Sequence, residues 1–160
     1  MLVGNKSQPF LIVRLIVDAN IVFSAILNTN SKIGDLLINS KKHFEFIAPD
    51  FLRLEIKRHH AKILKVSKLT IEQVLEAEFQ TYKDINFISE EQIPKSIWIT
   101  SEILVADIDP KDIAYVAFAE YFGCKIWSGD KALISGLEKK NFNQFYTTDQ
   151  LYQLREQKLF

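Results

Sequence analysis

The sequence predicts an α/β fold, a three-layer α/β/α sandwich in which helices cover both faces of a central parallel sheet. Three observations carry this. Residues 10–17, FLIVRLIV, form a nearly continuous apolar, β-branched run, as in a strand buried on both faces. Further on, strand-like and helix-like runs alternate, the order that builds parallel sheets. Last, the stretch 107–133 reads as helix, strand and helix start, with an acid at each junction. No linker, low-complexity segment or whole repeat interrupts the pattern, so residues 1–160 are expected to be one domain.

Taken in order, residues 1–9 are expected to be a flexible tail. The first strand ends on Asp18-Ala19-Asn20, and residues 21–27 enter the core as a helix. Ser31 caps a second short helix holding Ile33, Leu36 and Leu37, and residues 44–48 are a strand closed by Pro49. Asp50 is read as the cap of one helix on which Leu52, Glu55, Ile56, His59 and Ile63 share a stripe. That puts Glu55 on an apolar face, where a glutamate needs a partner. Thr70 and Gln73 form a capping box before a helix whose Ile71, Val74, Leu75, Phe79 and Tyr82 make an apolar stripe. Residues 86–89 are a short strand and 94–104 a helix packed near Asp107.

Asp109-Pro110 then opens a helix, since Asp caps free amides and Pro suits the first helical position. Asp112 lies in its first turn and shares the stripe of Tyr115, Val116 and Ala119. Gly123 ends this helix in the left-handed conformation. Residues 125–128 are a strand with Ser128-Gly129-Asp130 at its carboxyl end, the edge where open α/β sheets bind ligands. A helix follows through Leu137, then a last strand at 145–147 and a C-terminal helix capped by Thr148-Asp149.

Composition narrows the function. Lys plus Arg and Asp plus Glu number 20 each, so no global basic field attracts nucleic acid and any polyanion must meet a local patch. The single Cys124 excludes an intrachain disulfide framework. Arg14, Asp18 and Asn20 interrupt the N-terminal apolar run short of a spanning length. The expectation is a cytoplasmic protein with no membrane partner.

The chemistry lies in the acids. Asp18, Glu55, Asp112 and Asp130 come from four separate segments, each at a strand's carboxyl end or on a helix's inner face near its start. Parallel strands deliver their carboxyl ends to one edge, so these side chains can converge there. Crowded carboxylates raise one another's pKa, a conflict that a divalent cation removes. The donors are hard oxygens and no Cys/His set has zinc spacing, so Mg²⁺ or Mn²⁺ is the expected cofactor. Such a site suits phosphodiester hydrolysis.

VDAN at 17–20, a helical Glu55 after PDFLRL at 49–54, DIAYVAFA at 112–119 and WSGDKAL at 127–133 resemble the acidic motifs of PIN-domain ribonucleases. The likeness covers about 14–150, and the chain resembles in particular the toxin members of bacterial toxin–antitoxin pairs. It implies a metal-dependent endoribonuclease acting on RNA, with an antitoxin protein and a homodimer as expected partners. By position, Asp18, Glu55, Asp112 and Asp130 would be the catalytic and metal-binding acids. Asn20 and Ser128 occupy the polar positions beside the first and last of them, Ser128 standing where Thr is more usual. Asp107 and Asp109 flank the third acid, and either is a candidate additional ligand.

Each acid also has a plainer explanation: Asp130 as a helix cap, Asp112 as a first-turn acid matching the helix dipole. The segment 53–68 carries Arg53, Lys57, Arg58 and Lys62, read either as a phosphate-binding stripe for RNA or as a solvated helix face. Adjacent His59 and His60 point about 100° apart on a helix and make a poor metal pair. Two other functions compete with the nuclease. One is a non-catalytic RNA- or protein-binding member of the fold; the other is a small-molecule phosphatase, which the lack of a DxD after the first strand disfavours.

Overall fold

The computed structural model describes residues 12–157, and the tail expected at 1–9 lies outside them. Among the described residues, five strands form one all-parallel sheet: β1 (Val13–Val17), β2 (Phe44–Pro49), β3 (Ile85–Ile88), β4 (Lys125–Trp127) and β5 (Phe145–Tyr146). Their order across the sheet is β3-β2-β1-β4-β5. Leu15, Ile16 and Val17 of β1 and Phe46, Ile47 and Ala48 of β2 are fully buried, as a sheet covered on both faces requires. Across β1, Phe46 stacks on Trp127 with ring centroids 5.7 Å apart.

Nine α-helices accompany the sheet among the described residues: α1 (Ala19–Leu27), α2 (Lys32–Asn39), α3 (Phe51–Arg58), α4 (His60–Ser67), α5 (Ile71–Tyr82), α6 (Lys95–Val105), α7 (Ile113–Phe122), α8 (Lys131–Glu138) and α9 (Thr148–Gln157). One set packs around α1, which touches α2, α3, α4 and α5, with α9 on α2. In a second set α6 lies on α7, and α7 lies on β1, β2 and β4. Helices, sheet and helices make the expected α/β/α sandwich. Among the described residues no helix is long and apolar enough to cross a membrane.

Several local expectations hold. Ser31 accepts from the Gly34 amide, Thr70 and Gln73 close their capping box, and Gly123 ends α7 at φ 62°. Others do not, and tertiary contacts explain each. The helix expected through 50–63 breaks at His59 into α3 and α4. Asp50 does not cap α3. Its carboxylate accepts from Arg53, while Glu90, from the turn after β3, reaches across to accept the Phe51 amide at 2.9 Å.

On α5 the buried residues are Val74, Ala77 and Thr81, whereas Ile71, Leu75 and Phe79 face solvent. Small side chains let this helix sit close on α1, so the large apolar residues are not the ones that pack. At α9 the cap is Thr147 rather than Thr148-Asp149: the Thr147 hydroxyl accepts from the Gln150 amide, and Gln150 accepts from the Thr147 amide. Thr148 instead accepts from the indole of Trp127, and Asp149 pairs with Lys32.

Candidate active site

The chain goes from β1 to β2 on one side, then returns to lay β4 on the other side of β1. The loops leaving β1 and β4 therefore diverge, and an open α/β sheet has its ligand crevice at such a switch point. Asp18 ends β1; Ser128, Gly129 and Asp130 end β4. Backbone pairing brings them together, the Asp18 amide donating to the Trp127 carbonyl at 3.4 Å. Glu55 arrives on the second turn of α3, and Asp112 at the start of α7. All four line one cleft of about 120 Å³, together with Asn20 and Asp109.

Asp18 is only 4 % exposed and caps α1, its Oδ1 accepting from the Ile21 amide at 3.0 Å. Burial pushes its carboxyl up to about 6, against hydrogen bonds from the Ser128 hydroxyl and nearby amides, with Asp130 adding like-charge repulsion. Ser128 is itself fully buried, and its Oγ also accepts from the Asp130 amide at 3.0 Å. One hydroxyl thus ties together the acids that leave β1 and β4.

Asp130 caps α8 through Oδ1 to the Leu133 amide at 3.0 Å. The plain reading of Asp130 as a cap and its place in the cleft are both true, because a carboxylate has two oxygens and the cap uses one. Asp112 makes no such cap, and its Oδ2 is buried without a hydrogen-bond partner. Its carboxyl is pushed up to about 7, by burial first and then by Asp109, Asp18, Asp130 and Glu55 in turn. Four other acids thus press on Asp112. The Glu55 partner that the sequence demanded is Tyr115, whose hydroxyl donates to Oε1 at 3.1 Å. Tyr115 is buried against Phe51, which holds its phenol protonated.

Among the described residues, no three carboxylate, imidazole or thiol side chains are drawn together closely enough to hold a metal ion as they stand. The donors nevertheless suit a hard divalent cation. They are all oxygens, one of them buried and unpartnered, and their mutual repulsion is what such an ion would relieve.

Of the two additional acids, Asp109 lines the cleft while accepting from the Lys111 amide at 3.0 Å. Asp107 does not: it is exposed and paired with Lys140, which holds its carboxyl low. The basic stripe divides as well. Arg53 is tied to Asp50 at 2.8 Å and lies over the Phe87 ring, Lys57 and Arg58 point to solvent, and Lys62 reaches a pocket next to the cleft. The sequence reading missed Lys111 and Tyr115 as cleft residues. Tyr115 shares its stripe with Asp112, one turn earlier, and that neighbour was the signal for it; Lys111 could have been found in the DPKD turn between two of the acids.

A family model described as PIN domain matches residues 16–154, a span that takes in every cleft residue. No curated protein matched the chain. PIN domains are generally nucleases and usually use divalent metals. By this match and by its sheet, the chain belongs to the PIN domain family.

Proposed function

We propose that this protein is a metal-dependent endoribonuclease, and that Asp18, Glu55, Asp112 and Asp130 are its metal-binding acids. One observation carries the reading. Asp112, with a buried unpartnered oxygen, faces a cleft in which four other acids raise its carboxyl, at the switch point of the sheet. Evolution toward stability alone would pair or remove such charges. Bound Mg²⁺ or Mn²⁺ would supply positive charge at the scissile phosphate and lower the pKa of a water.

The chain's own groups do the rest. Asp18 and Asp130 are fixed by cap bonds and by Ser128, so their free lone pairs point with little loss of rotamer freedom. The Tyr115 hydroxyl orients Glu55, and Asp109 braces the turn that presents Asp112. Lys111, at the rim, offsets charge on the approaching phosphate. No protein nucleophile is required.

The experiment is cleavage of single-stranded RNA by purified protein with Mg²⁺, Mn²⁺ or chelator, alongside Asp112→Asn to exclude a contaminating nuclease. Metal-dependent cleavage lost in the variant is the expected outcome; cleavage that persists in the variant, or in chelator, overturns the assignment. A toxin role follows from the likeness of VDAN, DIAYVAFA and WSGDKAL to toxin motifs. It is tested by induced expression, with growth arrest expected from the parent protein and relieved by Asp112→Asn.

A further inference from the structure

Beside the acidic cleft lies a second pocket of about 130 Å³, which shares Asn20 and Glu55 with it as a common wall. Phe23 lies one helical turn after Asn20 on α1, on the same side of the helix. It is half-buried, unlike the fully enclosed Phe46 and Phe118. Its ring packs in part against the apolar core, and the side that faces the pocket meets a cation and an imidazole. The Lys62 ammonium sits over it, 5.6 Å from the centroid, and His59 meets it edge to face at 6.4 Å and 88°. The break between α3 and α4 falls at His59, which is exposed.

We infer that Phe23, His59 and Lys62 form a subsite for the nucleotide next to the cleaved bond, taking an unpaired base on the rings and its phosphate on Lys62. The inference rests on the nuclease reading and names the part of the substrate that reading leaves unplaced. Aromatic rings together with a cation are how sequence-tolerant binding of single strands is built, the Lys62 ammonium moving off the Phe23 ring to the phosphate as the base stacks. The pocket has room for one ring system, so a paired base would have to leave its stack to enter. The charge layout agrees. Acids crowd the cleft and repel a polyanion, while Lys111 lines that cleft with them and Lys62 lines the pocket that adjoins it. A strand held by both lysines has its backbone at the carboxylates of the shared wall.

The test uses a short fluorescein-labelled single-stranded RNA and its duplex, with binding read by anisotropy in an Asp112→Asn parent so that nothing is cut. Phe23→Leu is expected to weaken single-strand binding roughly tenfold. Lys62→Gln should weaken it and lower the slope of log Kd against log salt by about one. Phe23→Tyr, which keeps the ring, should bind like the parent, and duplex binding should not respond to Phe23. If Phe23→Leu fails to fold, the exposed His59→Ala and Lys62→Gln carry the test. The subsite is overturned if the parent does not bind the single strand, if the variants leave its Kd unchanged, or if the duplex loses as much as the single strand. Expected binding in a protein that cuts no RNA with Mn²⁺ leaves the subsite standing and removes the nuclease. Cleavage indifferent to Phe23, His59 and Lys62 does the reverse.

Discussion

Four strands of this sheet are followed closely by an aspartate, and the four aspartates divide into two kinds. Asp18 and Asp130 follow β1 and β4, the strands that border the switch point. Asp50 and Asp149 follow β2 and β5, one strand further out on either side. The outer pair is neutralised in the ordinary way: Asp50 by Arg53 at 2.8 Å and Asp149 by Lys32 at 2.7 Å, with Asp149 side-chain exposure at 80 %. The inner pair turns to the cleft, where burial and Asp130 raise the Asp18 carboxyl and both members of the pair help to raise that of Asp112. An Asp after a parallel strand is thus a common local solution. Its place in the topology decides whether it becomes a surface ion pair or part of an acidic cleft.

The sharpest way to break this contrast is activity. Asp18→Asn and Asp112→Asn should lower RNA cleavage by at least about a thousandfold, since positioning a catalytic metal is worth several kcal/mol. Asp50→Asn and Asp149→Asn should leave the initial rate within about a factor of two, as expected for exposed pairs away from the chemistry. Equal losses from inner and outer substitutions would erase the distinction.

Stability should move the opposite way. Asp18 titrates at about 6 and Asp112 at about 7 in the folded protein, against an ordinary 3.8. A raised carboxyl binds its proton more tightly in the folded state, so the protein loses stability as pH climbs from about 4 through about 7. Asparagine has no proton to give up. Asp18→Asn should therefore match the wild type near about pH 4 and exceed it by up to about 3 kcal/mol near about pH 8, at ~1.4 kcal/mol per unit. Asp149→Asn should stay within about 0.5 kcal/mol at both. Urea unfolding in chelator reads the difference, and a flat wild-type profile would contradict it. Mn²⁺ at about a hundred times its Kd should add about 2.7 kcal/mol to the wild type and little to Asp112→Asn. A thermal shift equal in the two would place the ion elsewhere.

The same contrast explains what could be read from the chain. The layers follow from runs such as FLIVRLIV, because strands buried on both faces leave no room for polar alternation, whereas the order of the strands was not legible there. Asp18, Asp112 and Asp130 were legible because each sits at a junction that the fold brings to one edge, and Glu55 because it stood on an apolar helix stripe. What the sequence hid was long-range. The cap of α3 comes from Glu90, 39 positions away, and Glu55 finds Tyr115 at a separation of 60. The buried side of α5 is chosen by how closely it approaches α1, not by where its largest apolar residues fall. Phe23 reads as core in a helix that enters the core, and only the break at His59 shows that its ring meets a cleft.

The smallest effect bears on how the inner pair is held. Ser128 is buried, donates to Asp18 and accepts the Asp130 amide, so it joins the ends of β1 and β4 through one atom. Ser128→Ala leaves a part-buried amide and a buried carboxylate each short of a partner, which should cost about 1–2 kcal/mol. For a domain of this length that is a fall in Tm of roughly 2–4 °C per kcal/mol. Loss of a donor to the charged form should also raise the Asp18 pKa further, since that bond holds it down. The pH-dependent loss of stability in the variant should then extend to higher pH than in the wild type. Ser128→Thr keeps the hydroxyl and should restore both readouts. A uniform loss of stability with the pH profile unmoved would make Ser128 a packing residue; a moved profile that Thr restores ties the acidity of the cleft to a single hydrogen bond between neighbouring strand ends.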